Sequence, residues 1–268
     1  MAQLFPNHPN LRGGFAPLQM ECDVHDLIIE GEVPKQLNGT FYRNGPNPQY
    51  SPRGAYHMFG GDGMIHALSI EDGRVSYRNR WVRTQRFEKE REAGRSLFNS
   101  FNPMDVDESV QGMETDGVGN TNIIWHGGKL LVLEEAHIPI ELDPISLETK
   151  GGHTFGDRLH GPMTAHPKMD EETGEMFFFG YNAKGAISEH MTFSVVDAGG
   201  TVTRSEAKAY RSTGMDTPST VAGLKAKLKE LGLSSTGLKN ELIARLADGK
   251  DLHCAERNSA TASTTCVA

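Results

Sequence analysis

Four times in the first 205 residues, two apolar runs are separated by a short stretch containing glycine, and this pattern limits the possible folds more than any other. HALSI and RVSYRNRWV flank Asp72-Gly73, and NTNIIWH and KLLVLEE flank Gly127-Gly128. PMTAHPKM and EMFFFGYN flank a turn near Thr173-Gly174, and MTFSVVD and TVTRSEA flank Gly199-Gly200. Glycine and aspartate tolerate the positive φ of tight turns, so each pair reads as an antiparallel hairpin. No long amphipathic helix separates the strands, which disfavours a βαβ architecture and leaves a sandwich, barrel or propeller. Between Arg83 and Asn120 lies a polar insert longer than an ordinary connection; such loops are functional lids or disordered.

The periodicity changes near residue 205. Val221, Leu224, Leu228 and Leu231 recur at helical spacing, Ser219 or Thr220 can cap the start, and Gly232 stands where a C-cap glycine would. Leu238, Leu242, Ile243 and Leu246 form a second apolar face, which predicts a small α-helical hairpin. Charge divides the chain at the same place. Residues 219–250 carry six basic and three acidic side chains, a net +3 within a chain of −8, which leaves −11 elsewhere. The expected organisation is therefore a β-rich region over 1–210, a linker over 211–218, the helical hairpin over 219–250 and a disordered polar tail over 251–268.

Composition narrows the class further. Apolar residues are 37% and charged residues 23% of the chain, which suits neither a disordered tract nor a membrane protein. No run approaches the roughly 20 apolar residues that span a bilayer. The start lacks a charged segment followed by an apolar one, so the expected compartment is intracellular. Cys22, Cys254 and Cys266 form no CxxC pair, disfavouring a disulfide framework or a cysteine zinc site.

Eleven histidines invite a metal, but no HExxH or comparable spacing occurs. His166, in TAHPK, is the best candidate ligand. It stands at a strand end beside Pro167, ahead of an acidic turn and the run MFFFGY. On the residues alone it is either a metal ligand or a strand-end histidine bonded to a backbone carbonyl. Glu134 and Glu135 end the run KLLVLEE; a carboxylate there can orient a ligand histidine or simply face solvent. GGDG at 60–63 lacks the lysine and spacing of a phosphate loop and reads as a tight turn between strands. The absence of GxSxG removes local support for serine-hydrolase chemistry.

Five stretches, LNGTFYRNGPNPQY, YHMFGGDGMIHAL, NTNIIWHGGKLLVLEE, ELDPISLET and TAHPKMDEETGEMFFFGY, together resemble the N-terminal part of the carotenoid cleavage oxygenases. That family includes lignostilbene dioxygenases and retinoid isomerases. The resemblance implies a mainly β fold, part of a seven-bladed β-propeller. It also implies Fe(II) held by four histidines, with O₂ cleaving a conjugated double bond of an apolar polyene or stilbene. By the same resemblance His166 is the first iron histidine and Glu135 the carboxylate behind it. After TVTRSEAKAY the sequence departs from the family pattern, so one of four iron histidines has a matching position. About 200 residues supply three or four blades at roughly 45 residues each. The expectation is an incomplete propeller, truncated and not competent alone.

STVAGLKAKLKELGLSSTGLKNELIARL resembles the SAP motif of chromatin and DNA-repair proteins. This resemblance implies DNA binding, with Lys225, Lys229, Lys239 and Arg245 on phosphates, and a nuclear location if the motif functions. The alternatives to an iron dioxygenase are thus a noncatalytic DNA- or protein-binding fusion, or a truncated gene model joined near Tyr210.

Overall fold

The computed structural model describes residues 4–99, 102, 105–184 and 188–209. They belong to the first of two units into which the chain divides, Met1–Tyr210 and Arg211–Ala268. The helical hairpin expected at 219–250, the linker before it and the tail after it lie outside the described residues.

Twelve strands and one α-helix are described, and the strands form three four-stranded antiparallel sheets. The first sheet contains β1 (Cys22–Val24), β2 (Gly39–Pro46), β3 (Gly63–Glu71) and β4 (Arg74–Trp81), in the order β1-β4-β3-β2. Helix α1 (Gln85–Ala93) follows. The second sheet is a simple meander of β5 (Asn122–His126), β6 (Lys129–Leu133), β7 (Ile140–Leu142) and β8 (Thr149–Gly152). The third is another meander, β9 (Lys168–Met169), β10 (Met176–Gly180), β11 (His190–Val196) and β12 (Val202–Ala209).

The four expected hairpins are present as β3–β4, β5–β6, β9–β10 and β11–β12. At Asp72-Gly73 and Gly127-Gly128 both turn residues have positive φ, 47° and 78° in one and 55° and 74° in the other. That geometry matches the right-handed twist of the flanking strands.

Side-chain alternation along β6 explains how the sheets stack. Leu130 and Val132 point to one face and pack with Ile65 and Ala67 of the first sheet. Leu131 and Leu133 point to the other and pack with Met176, Phe178 and Val196 of the third. Because its sheet is covered on both faces, KLLVL is continuously apolar where a half-exposed strand would alternate. Each of these leucines contributes roughly 1.5–3 kcal/mol through burial.

Two features depart from the sequence expectation. The insert after Arg83 contains α1, with Thr84 Oγ1 accepting the Phe87 N–H and Gly94 closing the helix at φ 67°. GGDG is no tight turn between paired strands: it leads from a 3₁₀ turn into β3 and buries Asp62. The described sheets number three, each four-stranded, in keeping with the three or four blades expected of about 200 residues; the seven blades belong to the family resemblance and not to the described residues.

Candidate functional site

The strand β6 ends in two carboxylates, and each meets a histidine. Glu134 is buried and accepts the backbone N–H groups of Val118 at 2.6 Å and Gly119 at 3.0 Å. Its Oε1 also pairs with Nδ1 of His137. Gly117, at φ 85°, lets the preceding loop pass this carboxylate; a Cβ there would collide with it. Burial opposes charge on both partners, but the pairing outweighs it: Glu134 is held below the usual carboxylate range, and His137 is raised above an ordinary imidazole. Asp116, which accepts the Gln85 N–H at 2.8 Å, is pushed up by burial and adds to the field that favours a protonated His137.

Glu135 is the more open of the two. Its Oε1 lies 3.8 Å from Nε2 of His166, with the two side chains 46% and 64% exposed respectively. Its other oxygen accepts a hydrogen bond from the Thr164 hydroxyl at 3.0 Å, and that hydroxyl also accepts the His166 N–H at 3.2 Å. Thr164 is itself anchored to the third sheet through its N–H on the Phe179 carbonyl at 2.7 Å. The end of β6 and the segment entering β9 are thereby tied together, which sets His166 beside Glu135 although 31 positions separate them in sequence.

Both pairs face one cavity of about 610 Å³, within the range of sites for small organic molecules. Its apolar wall includes Phe59, Phe98, Val106, Met113 and Val118, and His137 and His166 reach it from the polar side. Iron is a different matter. His166 has the chemistry of one imidazole ligand, with a carboxylate at hand to polarise it. Among the described residues, however, no group of three or more histidine, cysteine, aspartate or glutamate side chains is arranged to hold a metal. The residues therefore fit one ligand position and not a complete iron site.

Of the residues singled out in the sequence, the structure brings together Glu135 and His166. Lys225, Lys229, Lys239 and Arg245 lie outside the described residues. The Glu134–His137 pair was not anticipated as a unit; its sequence signal, a histidine three residues after a strand-end glutamate, is too common to stand out. None of the described helices is long and apolar enough to cross a membrane.

The profile of the family described as retinal pigment epithelial membrane protein matches residues 15–221, and that of the SAP domain matches 219–248. Isoeugenol monooxygenase of Pseudomonas nitroreducens is 46% identical over 205 residues, covering 76% of this chain and 43% of that enzyme. Lignostilbene-α,β-dioxygenase isozyme III of Sphingomonas paucimobilis is 39% identical over 199 residues, covering 73% of this chain and 40% of the relative. The crystal structure of Pseudomonas brassicacearum lignostilbene dioxygenase superimposes with a TM-score of 0.73 at 35% identity, covering 77% of this chain and 43% of that one. The chain thus spans less than half the length of these relatives. With a profile match over most of the chain and stacked four-stranded sheets like those of the solved structure, the protein belongs to the carotenoid oxygenase family and carries a SAP domain after it.

Proposed function

We propose that the first unit is the N-terminal part of a non-haem iron oxygenase that cleaves a conjugated double bond in an apolar substrate of the stilbene, phenylpropene or carotenoid kind. The observation that carries this reading is the placement of His166, 3.8 Å from Glu135, on an apolar cavity. In this reading His166 is one Fe(II) ligand, and Glu135 accepts a ring N–H to orient the imidazole. Thr164 holds the carboxylate in turn. Iron, when bound, would activate O₂; the cavity residues would bind and align the substrate. One imidazole holds Fe(II) weakly, so the remaining ligands must come from outside the described residues. We expect the 268-residue chain to bind iron well below one equivalent when measured by elemental analysis, and His166→Ala to lower that further. Equal iron in wild type and His166→Ala would overturn the assignment of His166. Failure to convert stilbene to aldehydes, with ligands supplied by the C-terminal part of a full-length relative, would overturn the activity.

A second reading concerns the other end of the chain and is favoured by the SAP profile match at 219–248. Residues 219–250 bind duplex DNA through phosphate contacts from Lys225, Lys229, Lys239 and Arg245. The full chain should retard duplex DNA in a gel, and Lys225→Glu with Lys239→Glu should abolish the retardation. Unchanged binding in the double variant would refute it. A DNA-binding role places the protein in the nucleus or on a nucleoid, which imaging of a tagged full chain can check.

A further inference from the structure

The insert between β4 and β5 carries a buried carboxylate that the chemistry above does not use. Glu90, near the end of α1, is 2% exposed. Burying polar oxygens is costly unless they are hydrogen-bonded. One of its oxygens, Oε1, accepts the N–H groups of Leu97 at 2.8 Å and Phe98 at 3.0 Å, and the Ser96 hydroxyl at 3.2 Å. Arg86, one turn earlier, places Nε 3.8 Å from the same oxygen. The stretch is also held from its other side. The Asp107 N–H donates to the Leu97 carbonyl at 2.8 Å, and the Asp107 carboxylate pairs with Arg95 and Arg53.

What this arrangement holds in place is a wall of the cavity. Phe98 packs in a cluster with Leu97, Val110, Val106 and Met113. Phe98, Val106 and Met113 all line the cavity. Glu90 itself does not, so it acts on a ligand through the neighbours that do, Phe98, whose N–H it accepts, and Arg86, with which it pairs.

We propose that Glu90 is the positioning residue of this wall, setting the cavity for a rigid, planar, unsaturated ligand by anchoring Phe98 from behind. The ligand's chemistry rests on the oxygenase reading; the anchoring rests on the hydrogen bonds alone. Three donors converge on one atom, so truncating Glu90 removes three hydrogen bonds from the 96–98 stretch at once and leaves the Asp107 side to hold it. A rigid diaryl alkene cannot follow a displaced wall, whereas a molecule with a freely rotating centre can adapt.

The test is equilibrium binding of trans-stilbene and of 1,2-diphenylethane to the full chain. The second compound has the same two rings without the double bond. Glu90→Ala should weaken trans-stilbene about tenfold, the scale of a lost network of buried hydrogen bonds, and 1,2-diphenylethane less than about threefold. Glu90→Gln, which retains the accepting oxygen, should restore most of the affinity. In a Phe98→Ala background, Glu90→Ala should cause no further loss, because the two act as one unit. Where Glu90→Ala does not fold, Glu90→Asp retracts the acceptor by one methylene and should show the same selectivity at smaller size. Equal losses for both probes, full additivity with Phe98→Ala, or unchanged stilbene affinity would overturn the proposal. Wild type that fails to bind trans-stilbene would overturn it whatever its iron content. Stilbene binding by a protein that never cleaves it, even when complemented, would instead count against the oxygenase reading alone.

Discussion

At the scale of single residues, the ionisable groups around the cavity make pH dependence the sharpest probe. His137 binds its proton more tightly in the folded chain, so its contribution to stability is complete below about pH 6.5 and is lost as pH rises through its elevated pKa. Glu134 has the opposite sense: its contribution is complete above about pH 4.5 and is lost as pH falls through its depressed pKa. The pair therefore stabilises most between these limits. His137→Gln should remove that maximum from a plot of urea midpoint against pH; a variant profile parallel to wild type would contradict the pairing. Asp62 behaves differently. Burial, which Arg86 only partly offsets and Glu90 reinforces, pushes it up to about 6. A raised carboxylate contributes fully below its ordinary value of 3.8, and that contribution is lost as pH rises through about 6. Asp62→Asn should accordingly flatten the decline between about pH 4 and pH 7, read from the same urea series. Neither behaviour was legible in the sequence, where Asp62 is one residue of a glycine-rich turn and His137 one of eleven histidines.

At the scale of elements, legibility followed locality. The four hairpins were readable because both strands and the turn lie within one short window, and the turn residues need positive φ. Strand β1 was not, since its partner β4 lies far along the chain, with Cys22 opposite Asn79. Strands β7 and β8 are short, and TKGG has neither alternation nor bulk. Helix α1 escaped because QRFEKEREA carries one large apolar residue, Phe87, and buries charged Arg86 and Glu90 beside it. Its caps are the local signal that was present. Thr84→Ala should destabilise the chain by about 1 kcal/mol, as loss of an N-cap does, measured by chemical denaturation. No change would mean that the cap is compensated elsewhere. Strand β6 predicts a larger effect. Leu131 is fully buried in the core shared by the second and third sheets, so Leu131→Ala should cost roughly 2–5 kcal/mol. A loss below about 1 kcal/mol would show that the sheets do not stack as described.

At the scale of the whole molecule, two families meet in one chain, and their charges differ. The +3 of residues 219–250 stands against −11 elsewhere, so any DNA affinity must be local and electrostatic. With about three or four phosphates contacted, affinity should fall about a hundredfold between 50 and 200 mM salt; a salt-independent complex would argue for a different partner. The sequence by itself determined the hairpins, the family and the change of character near residue 205, because turn chemistry, motif order and charge are local properties of the chain. It also singled out His166 and the Glu134–Glu135 pair as candidates, but only the family resemblance favoured the ligand role of His166 and the orienting role of Glu135, since neither residue type nor spacing distinguished a ligand from an ordinary strand-end pair. Only the tertiary structure decided which sheets cover the two faces of β6, that Glu135 and His166 meet across two sheets, and that Glu90 holds Phe98 in the cavity wall. Those facts depend on contacts between segments far apart in sequence. Packing free energy selects such contacts, and no local periodicity encodes them.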